Sequence, residues 1–132
     1  MNKEDYVSLG VAKLLQEKGF REPCFATYTM EFKDEFTLCV GLWKKTEFKY
    51  LSRIPSKGIQ LQYLAPSLYD VQKWLRVKHN IDVLPTIREE SPNKDYCCYI
   101  YKDAKLVNCK VAYGDDFYEC MNDSFISALK LI

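Results

Sequence analysis

The fold of this chain is decided by residues 65–81, which read Ala65-Pro66-Ser67-Leu68-Tyr69-Asp70-Val71-Gln72-Lys73-Trp74-Leu75-Arg76-Val77-Lys78-His79-Asn80-Ile81. Pro66 and Ser67 are residue types that begin helices, and Asn80 is a type that ends them. The core-facing positions between them recur at helical spacing, the last with its charged end extended toward water: Leu68, Val71, Trp74, Leu75 and Lys78. The pattern predicts a helix that ends near His79.

Residues 8–20 repeat this pattern at a constant offset. The matched pairs are Val11 with Val71, Lys13 with Lys73, Leu15 with Leu75 and Lys18 with Lys78. Ser8 is a typical N-cap, Gly19 supplies a left-handed residue at the helix end, and Phe20 follows as the apolar residue that folds back on the last turn. A further helix is predicted from the cap at residues 114–116 to Leu131, because apolar side chains again recur at helical spacing.

Alternation of apolar and polar side chains predicts strands between the helices, over residues 24–32, 36–43, 59–63, 81–88, 96–101 and 106–113. Pro85 cannot donate a ladder hydrogen bond, so it confines its strand to a sheet edge or splits it. The expected fold is α+β in the order α-βββ-α-βββ-α: one domain over residues 1–132, with a mainly antiparallel sheet, three helices on one face, and a pseudo-repeat of a helix followed by three strands. The expected shared core contains Val11, Leu15, Val71, Trp74, Leu75, Phe125 and Leu129.

Composition excludes several classes of protein. Apolar residues make up 48% of the chain and aromatic residues 14%, which argues against disorder. The formal net charge of +1 provides no general attraction for nucleic acid or for a membrane surface. No run approaches the roughly 20 apolar residues of a membrane span, and the acidic start of the chain does not resemble a signal peptide. These features predict a cytoplasmic protein that does not enter a membrane.

The chain contains six cysteines, at positions 24, 39, 97, 98, 109 and 120. A reducing compartment and a chain long enough to fold without cross-links favour free thiols. Structural zinc requires close-spaced ligand pairs, but adjacent residues such as Cys97 and Cys98 point to opposite faces of a strand. We therefore expect six unpaired cysteines and no metal site.

Catalytic constellations are weak as well. His79 is the only histidine, so it is the only candidate base for a catalytic pair with a cysteine. It lies in the last turn of a helix, where a cation complements the helix dipole, and this structural role explains it without a catalytic one. Asp115, Asp116, Glu119 and Asp123 cluster where the last helix begins, where carboxylates act as caps. Neither a Walker loop nor a dinucleotide-binding glycine pattern occurs. We expect no enzymatic activity and no cofactor.

Two sets of residues are candidate contact surfaces. One is the outward stripe of the helix at 68–79, where exposed tyrosine, arginine and histidine are typical of the centre of a protein interface: Tyr69, Gln72, Lys73, Arg76 and His79. The other is a basic-aromatic segment over residues 43–57, whose alternating cations and rings suit a single-stranded nucleic acid: Trp43, Lys44, Lys45, Phe48, Lys49, Tyr50, Arg53 and Lys57. The simpler interpretations are a solvated helix face for the first set and a lysine-decorated edge hairpin, which resists aggregation, for the second.

Three helical segments resemble a numerous set of short uncharacterised proteins of gut anaerobes and of their phages and mobile elements. The similar segments are Val7–Phe20, residues 65–81 and the ending Ala128-Leu129-Lys130-Leu131-Ile132. The resemblance covers under half of the chain and implies an origin in a phage or mobile element, without an activity, ligand or catalytic residue. The sequence therefore predicts an accessory protein that binds another cytoplasmic macromolecule, most simply a protein. The alternative is a nucleic-acid-binding module that uses the segment at 43–57.

Overall fold

The computed structural model describes residues 3–32, 35–41, 62–88, 95–111 and 116–132. The helices in these ranges are α1 (Leu9–Glu17), α2 (Leu68–His79) and α3 (Phe117–Leu129), preceded by a short 3₁₀ turn at Lys3–Asp5. The strands are β1 (Ala26–Phe32), β2 (Glu35–Val40), β3 (Gln62–Leu64), β4 (Ile81–Arg88), β5 (Asp95–Lys102) and β6 (Lys105–Val111). The predicted α+β class and the order α-βββ-α-βββ-α are confirmed.

The strands of the described ranges form two antiparallel sheets, where the sequence analysis expected one. The chain divides into two compact units, unit 1 at Met1–Ser67 and unit 2 at Leu68–Ile132, with one sheet in each. The strand orders are β2-β1-β3 in unit 1 and β4-β5-β6 in unit 2, so the helix-then-three-strands repeat is not accompanied by a repeated sheet topology. Each strand of the described ranges pairs with strands of its own half of the chain.

Helix α1 begins and ends where the sequence predicts. The Ser8 hydroxyl accepts a hydrogen bond from the Val11 N–H at 3.4 Å, which satisfies one of the free donors of the first turn. At the other end, the Phe20 N–H donates to the Leu15 carbonyl at 2.9 Å and the Gly19 N–H donates to the Gln16 carbonyl at 3.1 Å. This pair of bonds requires a left-handed residue, and Gly19 has a φ of +93°.

Gly10 lies within α1 and Gly19 follows it, and the two positions give a matched pair of predictions. A Cβ atom would meet nothing within 4 Å at either Gly10 or Gly19, so crowding cannot distinguish them. Gly10 lies in the first turn of α1, so Gly10→Ala is expected to raise the free energy of unfolding by about 0.4–1 kcal/mol, because alanine adopts this helical backbone without strain and restricts the unfolded chain. Gly19→Ala is expected to lower it by about 1–2 kcal/mol, because alanine resists a positive φ. Urea denaturation monitored by circular dichroism measures both free energies of unfolding. Two changes of equal sign would contradict the assignment of a helical backbone to Gly10 and a left-handed backbone to Gly19.

The core of unit 1 contains the segment that leads into α2. Tyr6, Ala26 and Ala65 are buried together, and Tyr28 packs against them. The Tyr28 hydroxyl donates to the Val7 carbonyl at 2.7 Å, and the Val7 N–H donates to the Pro66 carbonyl at 3.0 Å. These bonds hold the residues before α2 against the sheet.

In unit 2, α2 and α3 cover one face of the sheet, with α3 contacting all three strands and α2 contacting β4. The covered face carries the buried side chains of Val83, Cys98 and Ile100. The prediction for Pro85 is confirmed, since β4 is an edge strand. The opposite face of the sheet exposes apolar side chains from each strand, among them Leu84, Tyr99 and Leu106.

All seven predicted core residues are buried, none being more than 7% exposed. Val11 and Leu15 belong to unit 1, and the other five belong to unit 2. Apolar spacing in the helices therefore identified these seven buried positions.

Candidate functional site

An exposed stripe on α2 carries the strongest candidate contact surface. Tyr69 is 64% exposed and Val77 is 66% exposed, and Lys73 and Arg76 between them are exposed as well. The four side chains follow the spacing i, i+4, i+7 and i+8, which places them on one side of a helix over about 12 Å. We call these four residues the α2 face.

Two residues of the predicted stripe lie elsewhere. The Gln72 side-chain amide donates to the Val83 carbonyl of β4 at 2.9 Å, which attaches α2 to the sheet. The His79 ring packs edge-on against Trp74, with ring centroids 4.8 Å apart. Both side chains are half-buried, because β4 follows α2 directly and lies against this side of the helix. The exposed stripe is therefore turned away from Gln72 and His79 and toward Val77.

The α2 face is positively charged. Lys73 and Arg76 lie between the two apolar side chains, and Lys78, which the sequence analysis placed on the core side, is also exposed. The acidic residue of this helix, Asp70, is half-buried. An apolar surface with several cations complements a partner that presents apolar side chains among carboxylates.

The helical pattern alone left Val77 out of both the core-facing set and the exposed stripe, although the structure places it on the α2 face. The detectable signal was its position eight residues after Tyr69, which places the two side chains on one side of the helix.

The basic-aromatic segment at 43–57 lies outside the described residues. Its eight candidate residues therefore keep the status of a sequence prediction. Among the helices that the structure describes, none combines the length and apolar character that crossing a membrane requires.

The acidic cluster at the start of α3 behaves as a cap where it is described. An Asp116 carboxylate oxygen accepts a hydrogen bond from the Glu119 N–H at 2.9 Å, and this interaction defines Asp116 as the N-cap. The side chains of Glu119 and Asp123 are exposed, and Asp115 lies outside the described ranges. The capping interpretation therefore accounts for Asp116.

The cysteines of unit 2 include a buried sulfur cluster that the sequence did not reveal. The Cys98 Sγ atom of β5 lies 3.6 Å from the Cys120 Sγ atom of α3 and 3.6 Å from the Met121 Sδ atom. Burial raises the pKa of the Cys98 thiol to about 12, with a smaller opposing effect from a hydrogen bond to Ser124. None of the six cysteines forms a disulfide in the structure, and Cys109 is the exposed one.

A cavity of about 330 Å³ reaches this cluster from the side of Cys120. The polar side chains that line it are Lys110, Asp123, Ser127 and Lys130. Within the described ranges, no group of three or more histidine, cysteine, aspartate or glutamate side chains is placed to hold a metal ion.

Comparison of the chain with protein-family models, with curated proteins and with solved structures gives no match. The candidate sites therefore stand on their geometry and chemistry alone.

Proposed function

We propose that this protein is a non-enzymatic interaction protein that binds a second protein in the cytoplasm through the α2 face. The observation that carries the proposal is the exposure of Tyr69 and Val77 on either side of Lys73 and Arg76. Tyrosine and arginine are over-represented among residues that dominate binding energy. Because these side chains are exposed on a helix whose other side is well packed, a role in binding explains their position better than a role in folding.

The partner that fits this surface is a protein with an acidic rim around an apolar contact. Two cations, Lys73 and Arg76, lie within the α2 face, so carboxylates on the partner would steer association and fix its register. The resemblance to proteins of phages and mobile elements supports a host protein as this partner. The binding of a host protein by a small accessory protein suits that origin.

The test is affinity capture from a lysate of a gut anaerobe, followed by titration of the captured protein in purified form. Tyr69→Ala combined with Arg76→Ala is expected to weaken binding at least ~30-fold, since the loss of one strong anchor costs about 2 kcal/mol or more. The matched control is Lys105→Ala combined with Leu106→Ala, which removes an exposed cation and an exposed apolar side chain from β6 of the same unit. The control is expected to bind like the parent.

Two results would contradict the proposal. One is a folded α2 variant that keeps the partner at parental affinity, which would move the interface elsewhere. The other is capture of nucleic acid in place of protein, with loss of binding when Lys44, Lys45 and Lys49 are changed to glutamate. That second result, together with a steep decline of affinity with salt, would establish the alternative function of the segment at 43–57.

A further inference from the structure

Three sulfur atoms from two different elements of unit 2 meet at one buried point. Cys98 Sγ lies 3.6 Å from both Cys120 Sγ and Met121 Sδ, and none of the three side chains is more than 1% exposed. Thiolates and thioethers are soft ligands that select soft cations. We propose that Cys98, Cys120 and Met121 form a binding site for a soft monovalent metal ion of the Cu(I) class, held by two thiolates and one thioether.

The separation of the sulfur atoms suits insertion of a metal ion. Metal–sulfur bonds of about 2.3 Å in a trigonal arrangement place the sulfur atoms about 4.0 Å apart, so the two separations from Cys98 Sγ have to open by only about 0.4 Å each. A disulfide between Cys98 and Cys120 would require their sulfur atoms to approach to about 2.05 Å. That approach is a movement of about 1.5 Å, which β5 and α3 would have to accommodate within a close-packed interior. Metal binding is the smaller change.

The ligand set favours Cu(I) over zinc. Structural zinc takes four nitrogen, oxygen or thiolate ligands in tetrahedral geometry, whereas this cluster offers two thiols and a thioether. Among the described residues, the cluster also has two oxygen neighbours. Cys120 Sγ donates to the Lys110 carbonyl at 3.8 Å, and the fully buried Ser124 donates its hydroxyl to the Cys120 carbonyl at 2.7 Å, so neither oxygen belongs to a free side-chain ligand. Three sulfur ligands without a fourth nitrogen or oxygen donor are typical of a soft d¹⁰ monovalent ion.

Charge and access agree with this assignment. Binding of one Cu(I) releases the protons of Cys98 and Cys120 and leaves a complex with a net charge of −1, without any change in oxidation state. The cavity beside Cys120 is lined by Lys110 and Lys130 against Asp123, which gives this wall a net charge of +1. The cavity lies beside Cys120, and the positive charge of its wall favours the negatively charged complex.

The experiment titrates the reduced, metal-free protein with Cu(I) under anaerobic conditions, with bicinchoninate as a competing chelator. We expect one Cu(I) per chain and an ultraviolet thiolate-to-Cu(I) charge-transfer band. Cys98→Ser combined with Cys120→Ser is expected to abolish both signals. The matched control, Cys24→Ser combined with Cys109→Ser, removes the same number of thiols outside the cluster and is expected to retain both.

A second variant keeps the test decisive if the loss of two buried thiols prevents folding. Met121→Leu conserves volume in the core and is expected to stay folded. It should weaken Cu(I) binding at least about tenfold, since changes even beyond the direct ligands have effects of that size. Parental Cu(I) affinity in Met121→Leu or in the double cysteine variant would overturn the proposal. A preference of the parent protein for Zn(II) would overturn it too.

Discussion

Trp74→Ala is expected to lower the free energy of unfolding by about 3–5 kcal/mol, the range typical of removing a large aromatic side chain from a core. Trp74 is 7% exposed, and the ring of His79 packs against it at 4.8 Å. Domains of this size are stable by about 5–15 kcal/mol in total, so the change removes a large part of the stability. Urea denaturation followed by far-ultraviolet circular dichroism measures the loss.

Tyr69→Ala is the matched control on the same helix. Tyr69 is 64% exposed, and its truncation is expected to change stability by no more than about 0.5 kcal/mol. The two substitutions together separate the face of α2 that stabilises the fold from the face assigned to the partner. Similar urea midpoints for the two variants would mean that the assignment of the faces is wrong.

In the metal-free folded protein, Cys98 is expected to react with a thiol reagent at least about ten times more slowly than Cys109. Burial raises the pKa of Cys98 from 9.0 to about 12, which reduces its thiolate at pH 8 about a thousandfold; the greater nucleophilicity of a more basic thiolate offsets part of this, and burial also restricts access. Cys109 is exposed. Timed alkylation followed by mass spectrometry of individual peptides gives both rates.

The same pKa shift gives a pH dependence with a definite sign. Between the ordinary pKa of 9.0 and the raised value of about 12, the folded protein keeps the Cys98 proton that the unfolded chain releases. The contribution of Cys98 to the free energy of unfolding is therefore fully present below about pH 9 and is lost as the pH rises through this window. Cys98→Ala should flatten the decline. Alkylation of Cys98 as fast as Cys109 in the folded state would contradict both the burial and the pKa.

In denaturant, the full set of six thiols should react in freshly purified protein, because none of the six cysteines forms a disulfide. A count of four or fewer would indicate a disulfide and would contradict the expectation of a reducing compartment. The thiol reaction rates in denaturant also serve as the reference with which the rates in the folded protein are compared.

The helices were determined largely by local sequence. Ser8 and Asp116 act as the N-caps, and Gly19 ends α1 with the positive φ that its lack of a side chain allows. Apolar spacing was sufficient to identify Val71, Trp74 and Leu75 as the buried side of α2. These features depend on residues within one or two turns of each other, so the chain carries them without reference to its tertiary structure.

Alternation of apolar and polar residues predicted the strands in the same way, but it did not predict how the strands assemble into sheets. The sequence predicted hairpins and an edge position for Pro85, and both are present. It did not distinguish one sheet from two, because alternation fixes which side of a strand is apolar and leaves the choice of neighbours open. That choice depends on how strands from distant parts of the chain pair, as β1 does with β3.

The candidate sites depended most on tertiary structure. Gln72 leaves the exposed stripe because the Val83 carbonyl lies within reach of its amide, and no pattern within the helix indicates that acceptor. Cys98 and Cys120 are 22 residues apart, and only the packing of α3 on β5 brings their sulfur atoms to 3.6 Å. Helical periodicity and capping act over a few residues, whereas a site built from two elements exists only after those elements have packed.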